Sequence, residues 1–141
     1  MHLQNSPLDL NLVLSEIHEP EAGAMVVFMG RTRIHNHGKE VSYLEYEAYP
    51  PMAEKMITEI LETAIREYGL CSAYCIHRLG RVNLKEVSIL VVTVSGHRGE
   101  GYEANRYILD RVKHEVPIWK HEFYTDGTET WVENCKHHSN D

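Results

Sequence analysis

The sequence predicts an α+β domain in which helices cover a mainly antiparallel sheet. Three observations predict it. Met52, Ala53, Met56, Ile57, Ile60, Leu61, Ala64, Ile65 and Tyr68 fall on one stripe of residues 51–68, the spacing of an amphipathic helix. Two apolar runs, "GAMVVFMG" at 23–30 and "EVSILVVTVS" at 86–95, have the length of buried strands. The inferred order of elements, α-β-β-α-β-β-α-β, does not alternate as a parallel βαβ chain would, which selects α+β.

The elements follow in chain order. Residues 8–17, "LDLNLVLSEI", read as a short helix with Ser6 or Asp9 near its start. The strand at 23–30 leads into the polar loop "RTRIHNHGK", with a turn around Asn36 to Gly38. Residues 41–49, "VSYLEYEAY", are rich in β-branched and aromatic side chains and read as a strand. Pro50 and Pro51 suit the first turn of the helix at 51–68, and Gly69 suits its end. Strands are expected at 71–79 and 86–95; the second is apolar on both faces and belongs in the middle of the sheet. A helix from about His97 to Glu115 carries Tyr102, Asn105, Leu109, Val112 and Val116 on its inner stripe. Pro117 disfavours helix at Val116 and ends it. Residues 118–124 read as a strand, "TDGTE" as a turn, and the polar tail from Asn134 as frayed.

The 141 residues fit one domain, taken as 1–141. At 43% hydrophobic and 25% charged residues the chain has enough apolar material for a packed core. Its net charge of -7 argues against a general nucleic-acid or anionic-membrane surface, either of which needs a basic face. No apolar run reaches bilayer-spanning length, and the N-terminus lacks a signal-peptide pattern. The cytoplasm is therefore the expected location. Cys71, Cys75 and Cys135 are odd in number, which speaks against a disulfide framework. Cys71 and Cys75 are read as small core residues.

Against this acidic background, "KHEVPIWKHE" at 113–122 sets two cations, Lys113 and Lys120, around a rigid Val-Pro-Ile-Trp element. Two ammonium groups converging on one pocket repel. Repulsion and desolvation both favour a neutral amine, the form that serves as nucleophile or general base. "SGHRGEG" at 95–101 places His97 and Arg98 where a strand gives way to a helix, a position suited either to holding an anion or to a plain surface turn. In "GRTRIHNHG" at 30–38, Arg31 and Arg33 are read as alternating, so that one of them faces a pocket. His35 and His37 are read as solvated loop histidines, since a zinc site needs further ligands. "HRLGR" at 77–81 is read as a turn with solvated cations.

Taken together, "FMGRTRIHNHG", "VSYLEYEAYPPMAEK", "IHRLGRV", "VSGHRGEGYEANRYILDRVKHEVPIWKHE" and "WVE" resemble the large, catalytic subunit family of molybdopterin synthase, from about Gly23 to Glu133. The resemblance implies an α/β-hammerhead type of α+β fold. It implies a sulfurtransferase that puts two sulfurs onto cyclic pyranopterin monophosphate to form the molybdopterin dithiolene. The sulfur arrives as a thiocarboxylate on the C-terminal tail of a small ubiquitin-like subunit, so no resident cofactor or metal is called for. It further implies a homodimer of this chain, completed to a heterotetramer by two small subunits. By position, Lys113 and Lys120 match the family's two essential lysines. Arg33, His97 and Arg98 match its residues for the anionic pterin, and Phe28 and Arg31 flank that motif. Two departures stand out. After "WVE" some relatives offer an arginine, where this chain has Asn134-Cys135-Lys136. Lys85 stands where relatives often have glycine.

Spacing adds one inference. His97 and Lys113 lie sixteen residues apart on one expected helix, about 24 Å at ~1.5 Å per residue. One small ligand cannot touch both in one chain. The expectation is a pocket shared across a dimer, with Lys113, Lys120 and Arg33 from one protomer and His97 and Arg98 from its mate. Three rivals differ from this reading. One is a non-enzymatic adaptor that docks a ubiquitin-like tail. Another is a small phosphate-ester hydrolase built on "SGHRG", and the last is a histidine-bound metal regulator.

Overall fold

The computed structural model describes residues 1–132. Its elements are β1 (Leu3–Gln4), α1 (Leu10–Ser15), β2 (Ala24–Arg31), β3 (His35–Asn36), β4 (Lys39–Ala48), α2 (Pro50–Tyr68), β5 (Ser72–Arg78), β6 (Gly80–Asn83), β7 (Val87–Ser95), α3 (Arg98–Glu115), β8 (Ile118–Tyr124) and β9 (Glu129–Val132). This is the α+β architecture expected from the sequence. The strands divide into two sheets, ordered β1-β5-β7-β2 and β3-β4-β8-β9, with β6 also paired to β4. Every pairing is antiparallel except that of β1 with β5.

Local chemistry accounts for the element ends. The Asp9 side chain accepts from the Asn11 N–H and starts α1, which is shorter than the predicted 8–17. Two prolines open α2, and Gly69 closes it in the left-handed conformation, φ 65°. Pro117 follows the extended Val116 at the end of α3. His37 and Gly38, with φ 53° and 75°, make the two-residue turn between β3 and β4.

The main core lies between α2, α3 and the first sheet. Ile57, Ile60, Ala64, Val91, Ala104 and Ile108 are all essentially inaccessible there. β7 is the central strand, as its two-sided apolar pattern predicts, and is buried along almost its whole length. α3 sits close on β2 and β7 because Gly101 has no side chain to hold it off. A Cβ there would come within 2.8 Å of Ser95 Oγ. Asn105, buried beneath the same helix, donates to the Val26 and Val91 carbonyls and fixes it over both strands. Cys75 packs in this core and Cys71 against the smaller cluster around Val92. Cys135 and Lys136 lie outside the described residues.

Candidate active-site cleft

One cleft gathers most of the residues singled out from the sequence. It opens where the two sheets meet beside the C-terminal end of α3 and has a volume of ≈ 690 Å³. One wall is the inner face of β4, β8 and β9. Strand register explains its membership, because residues directly opposite one another across a ladder point to the same face. Lys120 is opposite Tyr46 on one side and Val132 on the other, and Glu122 is opposite Leu44 and Thr130. All six line the cleft. The facing wall is the end of the first sheet, where His77, Ile89 and Gly30 sit side by side on β5, β7 and β2. Val112 and Lys113, in the last turn of α3, complete it.

The structure brings Lys113, Lys120 and Arg33 together around this cleft, with Phe28 and Arg31. Arg31 and Arg33 do not alternate as the sequence was read. Residues two apart share a face, and both arginines line the cleft. His97 and Arg98 are not among its lining. α3 is continuous from Arg98 to Glu115, so these two residues stand at the far end of the helix from Lys113, exposed to solvent. The His97 N–H donates to the Glu100 carboxylate at 3.3 Å. An acidic group thus sits at this helix start, which weakens it as an anion site within one chain.

Three features of the cleft escaped sequence reasoning. Glu122 is 2% exposed, yet its carboxylate accepts from Asn36 Nδ2 at 2.5 Å and from the Tyr124 hydroxyl at 2.7 Å, and lies 3.5 Å from Lys120 Nζ. A buried carboxylate is tolerated only when it is bonded and paired in this way. The consequence for Lys120 is a fixed counter-ion, not an isolated repulsion from Lys113. The same carboxylate also pushes the Tyr124 phenol up to about 12, after burial, which contributes more. A signal for Glu122 existed. Ile118, Lys120, Glu122 and Tyr124 alternate along one strand, so a carboxylate was bound to share the inward face with Lys120.

The second feature is His77. The sequence reading put "HRLGR" in a solvated turn, and the structure corrects it. His77 is the last residue but one of β5, at 8% exposure, with its ring packed edge-to-face against Tyr46, centroids 4.8 Å apart. Arg78 pairs with Glu86 at 3.5 Å, and Gly80–Asn83 continue as β6. Burial, with a smaller contribution from the Lys113 charge, lowers the His77 imidazole to about 4. The third feature is Asn36, which receives Arg33 Nη2 at 3.4 Å through its side-chain oxygen while donating to Glu122. The Arg33 loop is thereby tied to the Lys120 strand. His37, read as a solvated loop histidine, also lines the cleft. Among the described residues no group of histidine, cysteine and carboxylate side chains is arranged to hold a metal.

Comparison with known proteins accords with this geometry. A family model described as "MoaE protein" matches residues 3–115. A Dictyostelium discoideum protein named molybdopterin synthase catalytic subunit is 42% identical over 139 residues, covering 96% of this chain and 88% of its own. A Thermoplasma volcanium protein of the same name is 40% identical over 126 residues, covering 89% and 90%. Among solved structures, molybdopterin synthase from Staphylococcus aureus superposes with a TM-score of 0.88 at 33% identity, covering 94% of this chain and 96% of that one. A chain from the complex of subunits 1 and 2 of the Helicobacter pylori molybdopterin-converting factor shares the fold at a TM-score of 0.77 and 21% identity, covering 96% and 92%. With a family model spanning most of its length and relatives at this level of identity, the chain belongs to the MoaE protein family.

Proposed function

We propose that this chain is the catalytic subunit of a molybdopterin synthase. It transfers sulfur from the C-terminal thiocarboxylate of a small ubiquitin-like subunit to cyclic pyranopterin monophosphate. The observation that carries the reading is the convergence of Lys113, Lys120, Arg31 and Arg33 on one cleft of a protein whose net charge is -7. A cluster of cations in an acidic molecule selects an anionic ligand. Its ≈ 690 Å³ is of the size that accepts a small organic molecule.

In this reading Lys120 and Arg33 hold the pterin phosphate and the charge that develops on sulfur transfer. Glu122 and Asn36 aim them through the contacts already described. Lys113 stands at the terminal carbonyl of the incoming tail and moves protons there. His97 and Arg98 reach the pterin from a second copy of the chain. Two observations support that sharing: their place at the far end of α3, and the exposed Met25, Val27 and Met29 on β2, the outer strand of its sheet. Exposed apolar side chains in a row suit an interface. The assembly is then a homodimer carrying one small subunit at each end. No helix among the described residues is long and apolar enough to cross a membrane, and the reaction is assigned to the cytoplasm.

The test is incubation of the full chain with cyclic pyranopterin monophosphate and the thiocarboxylated small subunit, followed by mass spectrometry of the pterin. Gain of two sulfurs, lost in Lys113→Ala and Lys120→Ala, is the expected result. Partner binding without any sulfur transfer by the wild type would favour the adaptor.

A further inference from the structure

His77 has no part in the scheme above, yet its setting is that of a working group. Its ring is more than nine-tenths buried and its remaining surface belongs to the cleft. Nδ1 lies 2.8 Å from the Arg78 carbonyl oxygen. A carbonyl can only accept, so Nδ1 carries the hydrogen and Nε2 keeps its lone pair. The ring cannot turn freely, since Tyr46 packs edge-on against it and Nδ1 is bonded to the Arg78 carbonyl, while the His77 main-chain N–H, bonded to the His2 carbonyl at 2.7 Å, fixes the strand that carries it. Nε2 makes no hydrogen bond to any described residue.

The groups that face the ring decide its charge. α3 contributes Lys113, whose positive charge opposes a second cation. β4 contributes Tyr46, β7 the apolar Ile89, and the chain before β1 the His2 main-chain carbonyl. No carboxylate among the described residues acts on it, so burial prevails and the imidazole falls to about 4. Such a group is too weakly basic to serve as a general base near neutrality, where an efficient base has its pKa near the working pH. What remains is a rigid, uncharged acceptor beside a cation.

We propose that His77 is a substrate-binding residue of the cleft, offering Nε2 as a fixed neutral acceptor to an N–H of the bound substrate. Two sources could supply that donor: a ring N–H of the pterin, or the last amide N–H of the incoming tail. This rests on the function proposed above. It deepens that reading by adding a demand for an N–H donor to the demand for an anion.

Imidazole ¹⁵N spectra of the labelled full chain test it. Two additions are made separately: cyclic pyranopterin monophosphate, and the small subunit with an ordinary carboxylate tail, which cannot react. The free protein should show Nδ1 protonated and Nε2 bare. One addition should shift the Nε2 resonance as a new hydrogen bond forms, and which one does so identifies the donor. His77→Phe, which keeps a buried ring without the acceptor, should bind that same ligand about tenfold more weakly or worse, the other unchanged. His77→Gln, which keeps an acceptor, should remain within about threefold. If both ligands bind the wild type and neither moves Nε2, or if His77→Phe binds both as tightly as the wild type, the inference is wrong. Should His77→Phe fail to fold, the wild-type spectra decide alone. If neither ligand binds the wild type, the functional reading itself falls, and this inference with it.

Discussion

Lys120 Nζ lies 3.5 Å from Glu122, a carboxylate almost wholly removed from water. The pair sits two residues apart on one face of β8, and Asn36 and Tyr124 complete the carboxylate's bonding. A cation on a mobile stem is thus given a fixed address inside the cleft.

Glu122→Ala should therefore be costly twice over. It strands Asn36, Tyr124 and Lys120 without their shared partner, and breaking a buried pair by removing one member costs about 3 kcal/mol or more. Urea denaturation should show that loss, and sulfur transfer should fall further than the lost stability explains. A variant as stable as the wild type would mean that the contacts to Asn36, Tyr124 and Lys120 do not support the fold.

Helix α3 places Lys113 and His97 at opposite ends, so the two should act from different chains. Mixing Lys113→Ala protein with His97→Ala protein should restore part of the activity that each lacks, because half of the sites in a heterodimer regain a full set. Proven heterodimers with no recovery would contradict a shared pocket.

The buried His77 makes stability depend on pH. Its folded value, about 4, lies below the ordinary 6.5. Between these values the unfolded chain binds the extra proton, so stability rises with pH through that window and is lost as pH falls. The loss from pH 7 to pH 4 due to this group is about 3 kcal/mol. The difference between wild-type and His77→Phe unfolding curves isolates it, since contributions such as that of His2, also lowered chiefly by burial, cancel. A difference that does not change with pH would mean the imidazole titrates normally.

Lys85 is held at φ 73° in the turn before β7. A side chain in the left-handed region costs about 1–2 kcal/mol, of which glycine's greater freedom when unfolded returns part. Lys85→Gly should raise stability by roughly 0.5–1 kcal/mol in thermal or urea unfolding. Destabilisation would show that the lysine stem packs usefully enough to outweigh the strain.

The longer elements were legible because each repeats a pattern. The α2 stripe recurs every turn, and β7 is apolar throughout. The short strands carry no such signal. β1 and β3 are two residues each and β6 is four, too short to show a period; pairing partners distant in sequence create β1 and β6, and a tight turn creates β3. The site divides the same way. Lys113, Lys120 and Arg33 stood out by charge in an acidic chain and by family resemblance. His77 did not, because "HRLGR" reads locally as a polar turn, while His77 itself is buried by elements contributed from elsewhere in the chain. Glu122 was hidden by proximity to a histidine and a lysine in "WKHE", although alternation along the strand placed it beside Lys120.

The central claim is that the cations of this cleft grip an anionic pterin. A crystal structure of the dimer with cyclic pyranopterin monophosphate tests it most directly. The phosphate is expected within hydrogen-bonding distance of Lys120 or Arg33, with His97 or Arg98 of the second protomer reaching the same ligand. A pterin bound outside the cleft, or a phosphate that touches none of these side chains, would contradict it.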